Sequence, residues 1–326
     1  MGEPDSPLTD VLATEGLRRL VVGRRGEMEV VVAALDAGRH VLLEGPPGTG
    51  KSTLLRAIAN QAGIGFEFVE GNAELTPARL VGHHDPSRVM SEGYSDAIFV
   101  DGPLALAMRA GSLLYVEEIN RVPEETLNVL ITVMSEGELN VPRLGRLTAA
   151  AGFRMVAAMN PFDAVGTARI SSAIYDRTCR VLMGYQDKGE ETEIVARAVL
   201  PRTGGGTRSG TDPAWLAGVV EVVRRTRSHP EIRVGSSVRG AIDAVLVAAS
   251  LARVRQTDEK AVGLDAALAA MSGRIRLHEG STRTSEEIVT ELWRQVFPEV
   301  PESAGDGDTR PTAEGADEGK VPAPPG

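Results

Sequence analysis

Residues 45–52 read Gly-Pro-Pro-Gly-Thr-Gly-Lys-Ser and match the phosphate-binding pattern G-x-x-x-x-G-K-[ST] at every defined position. In this pattern the glycines let several backbone N–H groups point at one phosphate tail, Lys51 reaches the β- and γ-phosphates of a nucleotide, and Ser52 ligates magnesium. The apolar run Val41-Leu42-Leu43 predicts a buried parallel strand before the loop, and the apolar spacing over Lys51–Ala62 predicts a helix after it. An ordinary glycine-rich turn does not need Lys-Ser at its end. The segment therefore predicts a nucleotide-binding α/β fold.

The size and composition allow one large domain and a smaller one, with 326 residues of which 42% are hydrophobic and 25% are charged. No apolar stretch reaches the ~18 residues needed to span a bilayer, and the acidic start lacks an apolar signal region. Cys179 is the only cysteine, which excludes an intramolecular disulfide. We therefore expect a cytoplasmic protein without a membrane partner. Because Cys179 precedes the strand-like run Arg180-Val181-Leu182, we expect a buried structural thiol.

The formal net charge is −10, and about half of it lies in the last segment of the chain. Residues 299–326 hold seven acidic and two basic residues with repeated Pro, Gly and Ala. Such a segment cannot bury enough apolar surface to fold alone, so we predict a disordered acidic tail. A chain that is acidic and lacks a basic stripe is also a poor candidate for nucleic-acid binding, and we expect no nucleic-acid partner.

Strand-like and helix-like segments alternate along the first part of the chain. The predicted strands are 41–45, 66–70, 113–116, 153–159 and 179–183, with helical patterns between them. This alternation predicts a doubly wound, mostly parallel five-stranded sheet covered on both faces. Only helical patterns follow Tyr185, at 188–200, 213–227, 238–255, 261–274 and 285–297. We expect three units: an α/β core at 1–185, an all-helical lid domain at 186–298 and the tail at 299–326.

Two carboxylates, Glu117 and Glu118, end the strongest strand pattern of the chain, which begins at Leu113. Ligands of open α/β sheets sit beyond the carboxyl ends of the strands. One carboxylate can hold magnesium through its water shell, and the next can orient and deprotonate an attacking water. We therefore assign the metal to Ser52 and Glu117. Asn160 ends the next predicted strand and can position water or contact the γ-phosphate, although Asn-Pro is equally typical of a turn.

Seven short segments, taken in order, resemble an AAA+ ATPase, and within that superfamily the MoxR-like group with its CbbQ and NorQ relatives. The similarity covers residues 15–280 and rests on Val22-Gly23-Arg24, residues 45–52, Gly102-Pro103-Leu104, Glu117-Glu118-Ile119-Asn120-Arg121, Met159-Asn160-Pro161, Tyr175-Asp176-Arg177 and Gly235-Ser236-Ser237-Val238-Arg239. Each motif outside the phosphate-binding loop is weak alone, whereas the ordered set is specific. The resemblance implies an AAA+ phosphate-loop core with a helical lid domain, ATP and Mg²⁺ as cofactors, and ATPase activity.

The resemblance also implies a role for each matching residue. Val22 and Gly23 would lie beside the adenine, Glu118 would activate water, and Asn160 would be the first sensor. The implied nucleotide contacts are Val22, Gly23, Gly45, Pro46, Pro47, Gly48, Thr49, Gly50, Lys51, Ser52 and Thr53. The implied catalytic set is Lys51, Glu118, Asn160, Arg177 and Arg239.

Two arginines of this set extend the resemblance beyond the phosphate-binding loop. Arg177 would be an arginine finger that reaches the γ-phosphate of a neighbouring subunit, which implies a homo-oligomeric ring, expected to be hexameric. Such a finger contributes about 10³–10⁵ in rate in related systems. A surface pair with Asp176 is the alternative reading. Arg239 would be the second sensor, and its position at the start of a lid helix is unfavourable to the helix dipole, which favours a functional role.

The chain departs from the family pattern near the metal and near the finger. Glu117 stands where the family has Asp, which keeps the charge but adds a methylene and puts ATP turnover in question more than ATP binding. Tyr175 and Thr178 flank Arg177 where the family usually has apolar or aromatic residues. Residues 72–103 correspond to the region where this group carries an inserted hairpin, which would face the ring pore or the client. His83 and His84 lie inside it, and two adjacent histidines rarely supply two ligands of one metal site without further partners.

The leading hypothesis is a ring-forming ATPase that acts like a chaperone to remodel or activate a client protein. In this group, such remodelling often aids the insertion of a metal or cofactor into the client. The family resemblance also suggests a client with a von Willebrand A-type domain. The alternative is a nucleotide-gated structural adaptor with little or no ATP turnover, and Glu117 is the reason for it. A small-molecule kinase and a DNA-dependent motor are weaker, because the sensor arginines would report nucleotide state and the chain is acidic.

Overall fold

A sheet of five parallel strands is the centre of the computed structural model, which describes residues 8, 10, 15–161, 171–199 and 212–298. The strands in these ranges are β1 (His40–Glu44), β2 (Phe66–Glu70), β3 (Gly82–His84), β4 (Phe99–Asp101), β5 (Leu113–Glu117), β6 (Glu138–Val141), β7 (Gly145–Thr148), β8 (Arg154–Met159), β9 (Thr178–Leu182), β10 (Ile232–Val234) and β11 (Arg276–Leu277). The central sheet has the order β2-β5-β8-β1-β9, and each neighbouring pair is parallel. The predicted α/β class is confirmed.

Helices alternate with the central strands and then follow one another to residue 296. They are α1 (Glu15–Leu20), α2 (Arg25–Asp36), α3 (Lys51–Ala62), α4 (Pro77–Val81), α5 (Pro86–Glu92), α6 (Pro103–Ala110), α7 (Glu124–Glu136), α8 (Ser172–Asp176), α9 (Lys188–Val199), α10 (Pro213–Ser228), α11 (Val238–Arg255), α12 (Gly263–Met271) and α13 (Ser285–Val296). The bounds of α3 and α11 are those that the sequence predicts. The start of α13 is fixed by a capping box, in which Thr284 and Glu287 bond to each other's backbone N–H groups.

Strand β1, which leads into the phosphate-binding loop, lies inside the sheet between β8 and β9. Val41 and Leu43 pack on one face of the sheet with Leu54 of α3, and Leu42 packs on the other face with Leu104 of α6. All three strand residues are fully buried. Because both faces are covered, the strand reads as a continuous apolar run rather than an alternating one.

The described residues after β9 are mainly helical, with α9–α13 packed around one apolar core. Trp215 and Trp293 lie in this core as predicted, with ring centroids 5.6 Å apart and an edge-on arrangement. The helical region also holds the antiparallel pair β10–β11, which is too short to give a sequence signal. The proposed division at residues 185 and 298 stays a prediction, and the tail 299–326 lies outside the described residues.

Residues 72–103 contain the hairpin that the sequence predicts, because β3 and β4 pair antiparallel with α5 between them. A second hairpin, β6–β7, has no sequence prediction. Its strands have four residues each, and its turn contains Arg143 at φ +66° instead of the Asn-Gly that usually marks such a turn. The two hairpins are therefore unequal in how clearly the sequence encodes them.

The prediction of a buried Cys179 is wrong, because its thiol is exposed. The strand itself is present, but among the described strands β9 pairs with β1 alone and forms one edge of the central sheet. An edge strand has less of its surface covered than an inner one, which a local apolar pattern does not reveal.

Within the described ranges, none of the helices combines the length and the apolar character that crossing a bilayer requires.

Candidate nucleotide-binding site

The phosphate-binding loop joins the C-terminal end of β1 to the N-terminus of α3. Gly50, the residue before the helix, has φ +85°, a conformation that favours glycine. A Cβ at Gly45 would lie 2.1 Å from the carbonyl oxygen of Met183, so only glycine fits where the loop passes the end of β9. The backbone therefore requires both glycines, and the helix start supplies the unpaired N–H groups that bind anions.

Lys51 is 8% exposed, and its Nζ donates hydrogen bonds to the carbonyl oxygens of Gly45 at 2.8 Å and Pro46 at 2.9 Å. Burial lowers the pKa of Lys51 to about 8. The negative charge of Glu117 opposes this shift, and the positive charge of Arg239 adds to it. The ammonium group thus lies buried against carbonyls of its own loop. Phosphate oxygens can replace these carbonyls and stabilise the charged lysine.

Ser52 lies directly beside the carboxylate that the sequence assigns to the metal. Its hydroxyl donates a hydrogen bond of 2.9 Å to Glu117 Oε1, and the Tyr115 hydroxyl lies 3.2 Å from the same serine oxygen. Burial raises the pKa of Tyr115, so its hydroxyl stays protonated. Tyr115 has no role predicted from the sequence, although positions 115 and 117 share one face of β5 and the period of a strand links them.

The oxygen donors of Ser52 and Glu117 fit Mg²⁺, which prefers hard oxygen ligands and is usually bound through one or two protein groups plus phosphates and water. Among the described residues no three or more His, Cys, Asp or Glu side chains form a metal-binding group.

A cavity of about 310 Å³, here called the first cavity, lies at the C-terminal ends of β1, β5 and β8. It is lined by these predicted site residues: Pro47, Gly48, Thr49, Gly50, Lys51, Ser52, Thr53, Glu117, Glu118, Asn160 and Arg239. Glu118 has φ +52°, and its Oε2 lies 3.1 Å from Nε of Arg121, which also lines the cavity. The fold thus brings together residues from distant parts of the sequence, and it adds Arg121, to which the sequence analysis assigns no role.

A second cavity, of about 380 Å³, adjoins the first and shares part of its wall: Gly48, Thr49, Gly50, Thr53 and Arg239. Other parts of its wall are apolar side chains from α9 and α11, including Ile194 and Ile242. Val22 lines this cavity, and Gly23 follows it in the chain at φ +65°. A polar phosphate site joined to a more apolar cavity matches the two ends of a nucleotide.

Arg177 lies apart from these groups and is not among the described residues that line either cavity. Its Nε donates to Ser135 Oγ at 2.5 Å, its NH1 group donates to the carbonyl of Ala173 at 3.1 Å, and the Asp176 carboxylate is 3.8 Å away. The side chain therefore serves as a contact between α8 and the end of α7.

Arg24 connects the wall of the second cavity to the phosphate-binding loop, and the sequence analysis assigns it no role. It is 7% exposed and has φ +64°. Its guanidinium donates to the carbonyls of Thr49, at 3.1 Å, and Gly184, and to Gln186 Oε1 at 3.3 Å. Gln186 Nε2 in turn donates to the Val22 carbonyl at 2.8 Å. Only tertiary contacts reveal this network, since its members lie far apart in the sequence.

Glu191 anchors the segment after β9 to the helical region. It is 1% exposed and pairs with Arg224 at 3.0 Å and with Arg227 at 2.8 Å. The Arg227 guanidinium also lies 3.7 Å from the ring centroid of Tyr185. The connection between the sheet and the helices is therefore held by a buried ionic cluster.

Comparison with known proteins gives a match to one family model and matches to individual relatives. Residues 40–178 match the family model of the AAA domain (dynein-related subfamily). The chain is 28% identical over 266 residues to YeaC of Bacillus subtilis (strain 168), a match that covers 76% of this chain and 79% of that protein. It is 26% identical over 270 residues to the gas vesicle ATPase GvpN of Haloferax mediterranei, covering 78% and 74%. An AAA domain and a relative that is named as an ATPase support ATPase activity in general.

Among solved structures, the Holliday junction branch migration motor RuvB of Thermotoga maritima is similar to this chain with a TM-score of 0.50. The two are 17% identical, and the match covers 88% of this chain and 73% of that one. At this identity the likeness concerns the fold alone. It agrees with the parallel five-stranded sheet and the helical C-terminal region described above.

Proposed function

We propose that this chain, which has the fold of an AAA+ ATPase, binds ATP with Mg²⁺ and hydrolyses it to ADP and phosphate. The observation that carries the proposal is the convergence of Lys51, Ser52, Glu117, Glu118 and Asn160 on the first cavity. These residues supply a cation for the phosphates, oxygen ligands for a metal, a carboxylate base and a neutral amide, which together are the parts that ATP hydrolysis needs.

In this proposal the phosphate groups are bound before any chemistry takes place. Lys51 exchanges its two loop carbonyls for the β- and γ-phosphates. Ser52 and Glu117 would hold Mg²⁺, which would supply positive charge next to the phosphates. The hydrogen bond from Ser52 to Glu117 supports this, because it shows that the two oxygen donors lie side by side.

The hydrolytic step belongs to the residues that follow β5 and β8. Glu118 orients an attacking water and accepts its proton, and Asn160 positions the same water or contacts the γ-phosphate. Arg239 lines both cavities and is the second residue of α11, so it links the phosphates to the helical region. A change at the γ-phosphate can thereby alter the placement of the helices.

The proposal extends to a homo-oligomeric ring, expected to be hexameric, in which Arg177 acts on the nucleotide of the neighbouring subunit. Arg177 supports this by lying outside the cavities of its own subunit. The ring would remodel or activate a client protein, in the manner of a MoxR-type chaperone. Metal or cofactor insertion and a client with a von Willebrand A-type domain are the finer forms of this proposal, and both come from the family resemblance. We expect no nucleic-acid partner, because the chain is acidic.

The test is ATP hydrolysis by the full chain as a function of protein concentration, with the assembly state measured in parallel. Glu118→Gln should lower the rate by about 10²–10⁴ and still assemble with ATP. Arg177→Ala should lower it by about 10³–10⁵. The exposed Glu125→Gln and Arg294→Ala are the matched controls and should keep wild-type rates. Turnover that persists in Glu118→Gln, or that does not change with assembly, would contradict these assignments.

A nucleotide-gated adaptor with little turnover is the second candidate, and one contact favours it. The Glu118 carboxylate is paired with Arg121 at 3.1 Å, which competes with its use as a base. Assembly on ATP without phosphate release by the wild type, together with release by Arg121→Ala, would identify this candidate.

A further inference from the structure

The second cavity contains a polar pair that the proposed hydrolysis does not use. Gln186, between β9 and α9, lines the cavity together with Val22. Its Nε2 donates a hydrogen bond of 2.8 Å to the carbonyl oxygen of Val22, a residue that is 8% exposed. An amide and a carbonyl placed beside apolar side chains are typical of groups that set the orientation and identity of a ligand.

The orientation of the Gln186 amide is determined by its neighbours. Arg24 has only hydrogen-bond donors, and its guanidinium lies 3.3 Å from Gln186 Oε1. Arg24 itself is held by the Thr49 carbonyl at 3.1 Å and by Glu27 at 2.7 Å. Turning the amide over would place donor against donor at Arg24 and acceptor against acceptor at Val22. The NH₂ group therefore stays next to the Val22 carbonyl.

We infer that Gln186, read together with the Val22 carbonyl, selects a 6-aminopurine over a 6-oxopurine; this rests on the proposed nucleotide binding. The carbonyl has a second lone pair and the NH₂ group has a second N–H, so the pair offers an acceptor beside a donor. Adenine carries an amino donor beside a ring-nitrogen acceptor and complements both groups. A 6-oxopurine in the same position sets its oxygen against the Val22 carbonyl and its ring N–H against the amide.

The experiment measures the dissociation constants of ADP and IDP by titration calorimetry with the full chain. These two nucleotides differ in the reading edge of the base, and neither has a γ-phosphate to be hydrolysed. The variants are Gln186→Met, which removes the donor, and Gln186→Glu, which replaces it by an acceptor. Gln295→Met, at an exposed position of α13, is the matched control. The melting temperature of each variant shows whether it is folded.

The wild type should bind ADP about 10-fold or more tightly than IDP, because two contacts change from attractive to repulsive. Gln186→Met should lower this preference by about 3- to 10-fold, mainly through weaker ADP binding. Gln186→Glu should lower it further, since a carboxylate accepts from the ring N–H of IDP. The control should keep the wild-type preference.

Two results would overturn the inference, and they are distinguishable. Equal binding of ADP and IDP by the wild type, or an unchanged preference in folded Gln186→Met, would refute base selection by Gln186 and leave the proposed ATPase intact. A wild type that binds neither nucleotide would refute the proposed function itself.

Discussion

Acidification should destabilise this protein through His40, the first residue of β1, the strand that carries the phosphate-binding loop at its other end. The Nδ1 atom of His40 accepts a hydrogen bond of 2.9 Å from the backbone N–H of Met155. Burial lowers the pKa of His40 from 6.5 to about 4, and the positive charge of Arg154 adds to this effect, while a backbone hydrogen bond to Met134 opposes it. The folded protein therefore holds the imidazole neutral where an unfolded chain would bind a proton.

The magnitude follows from the two pKa values. Because the folded pKa is depressed, the contribution to stability is present above about pH 6.5 and is lost as the pH falls through the folded value of about 4. Linkage between 6.5 and 4 gives a loss of about 2 kcal/mol in the free energy of unfolding between pH 7 and pH 5. The full loss at lower pH approaches about 3 kcal/mol.

The assay is urea unfolding followed by circular dichroism at pH 7, 6 and 5, for the wild type and for His40→Asn. Asparagine keeps an acceptor for the Met155 N–H but does not titrate, so the variant should lose about 2 kcal/mol less than the wild type over this range. His278→Asn, at an exposed histidine, is the control and should behave like the wild type. Parallel pH profiles for the wild type and His40→Asn would refute the assignment to His40.

Three further perturbations test particular contacts. Glu191→Ala removes the carboxylate that pairs with Arg224 and Arg227 and should lower the free energy of unfolding by about 3 kcal/mol. Glu193→Ala removes an exposed ion pair on the same helix and should lower the free energy of unfolding by less than about 1 kcal/mol. Urea unfolding compares the two, and equal losses would contradict the role of burial. Tyr115→Phe removes the hydroxyl beside Ser52 and should raise the Mg²⁺ concentration needed for half-maximal ATP binding by about 2- to 10-fold, and an unchanged Mg²⁺ titration would count against it. Cys179 should react with a maleimide in the native protein, and a thiol that reacts only in denaturant would contradict its exposed position.

Much of the fold could be predicted because its signals are contiguous in the sequence. The phosphate-binding loop, the helix Lys51–Ala62 and the apolar run of β1 are each encoded by neighbouring residues whose spacing reports a period or a turn. The β6–β7 hairpin was not predicted, because its strands are short and Arg143 occupies the turn. The exposure of Cys179 was not predicted either, since the position of β9 at the sheet edge depends on strand order.

The candidate site divides in the same way. Glu117 and Glu118 could be named in advance because they end an apolar strand, and ligands of parallel sheets lie at strand ends. Arg24 and Gln186 could not be assigned, because each acts through a partner that is distant in the chain: Thr49 and Val22.

The sequence by itself determined the five strands of the central sheet, the helix Lys51–Ala62 and the phosphate-binding loop between β1 and α3. A local pattern suffices for this, because secondary structure depends on the period of apolar residues and on turn chemistry. Only the tertiary structure decided that Lys51 lies against its own loop carbonyls and that Gln186 faces the Val22 carbonyl. Such contacts depend on strand order and on the packing of the helical region. A hydrogen bond tolerates an error of only a few tenths of an ångström in the distance between its atoms, and no sequence pattern specifies atomic positions that closely.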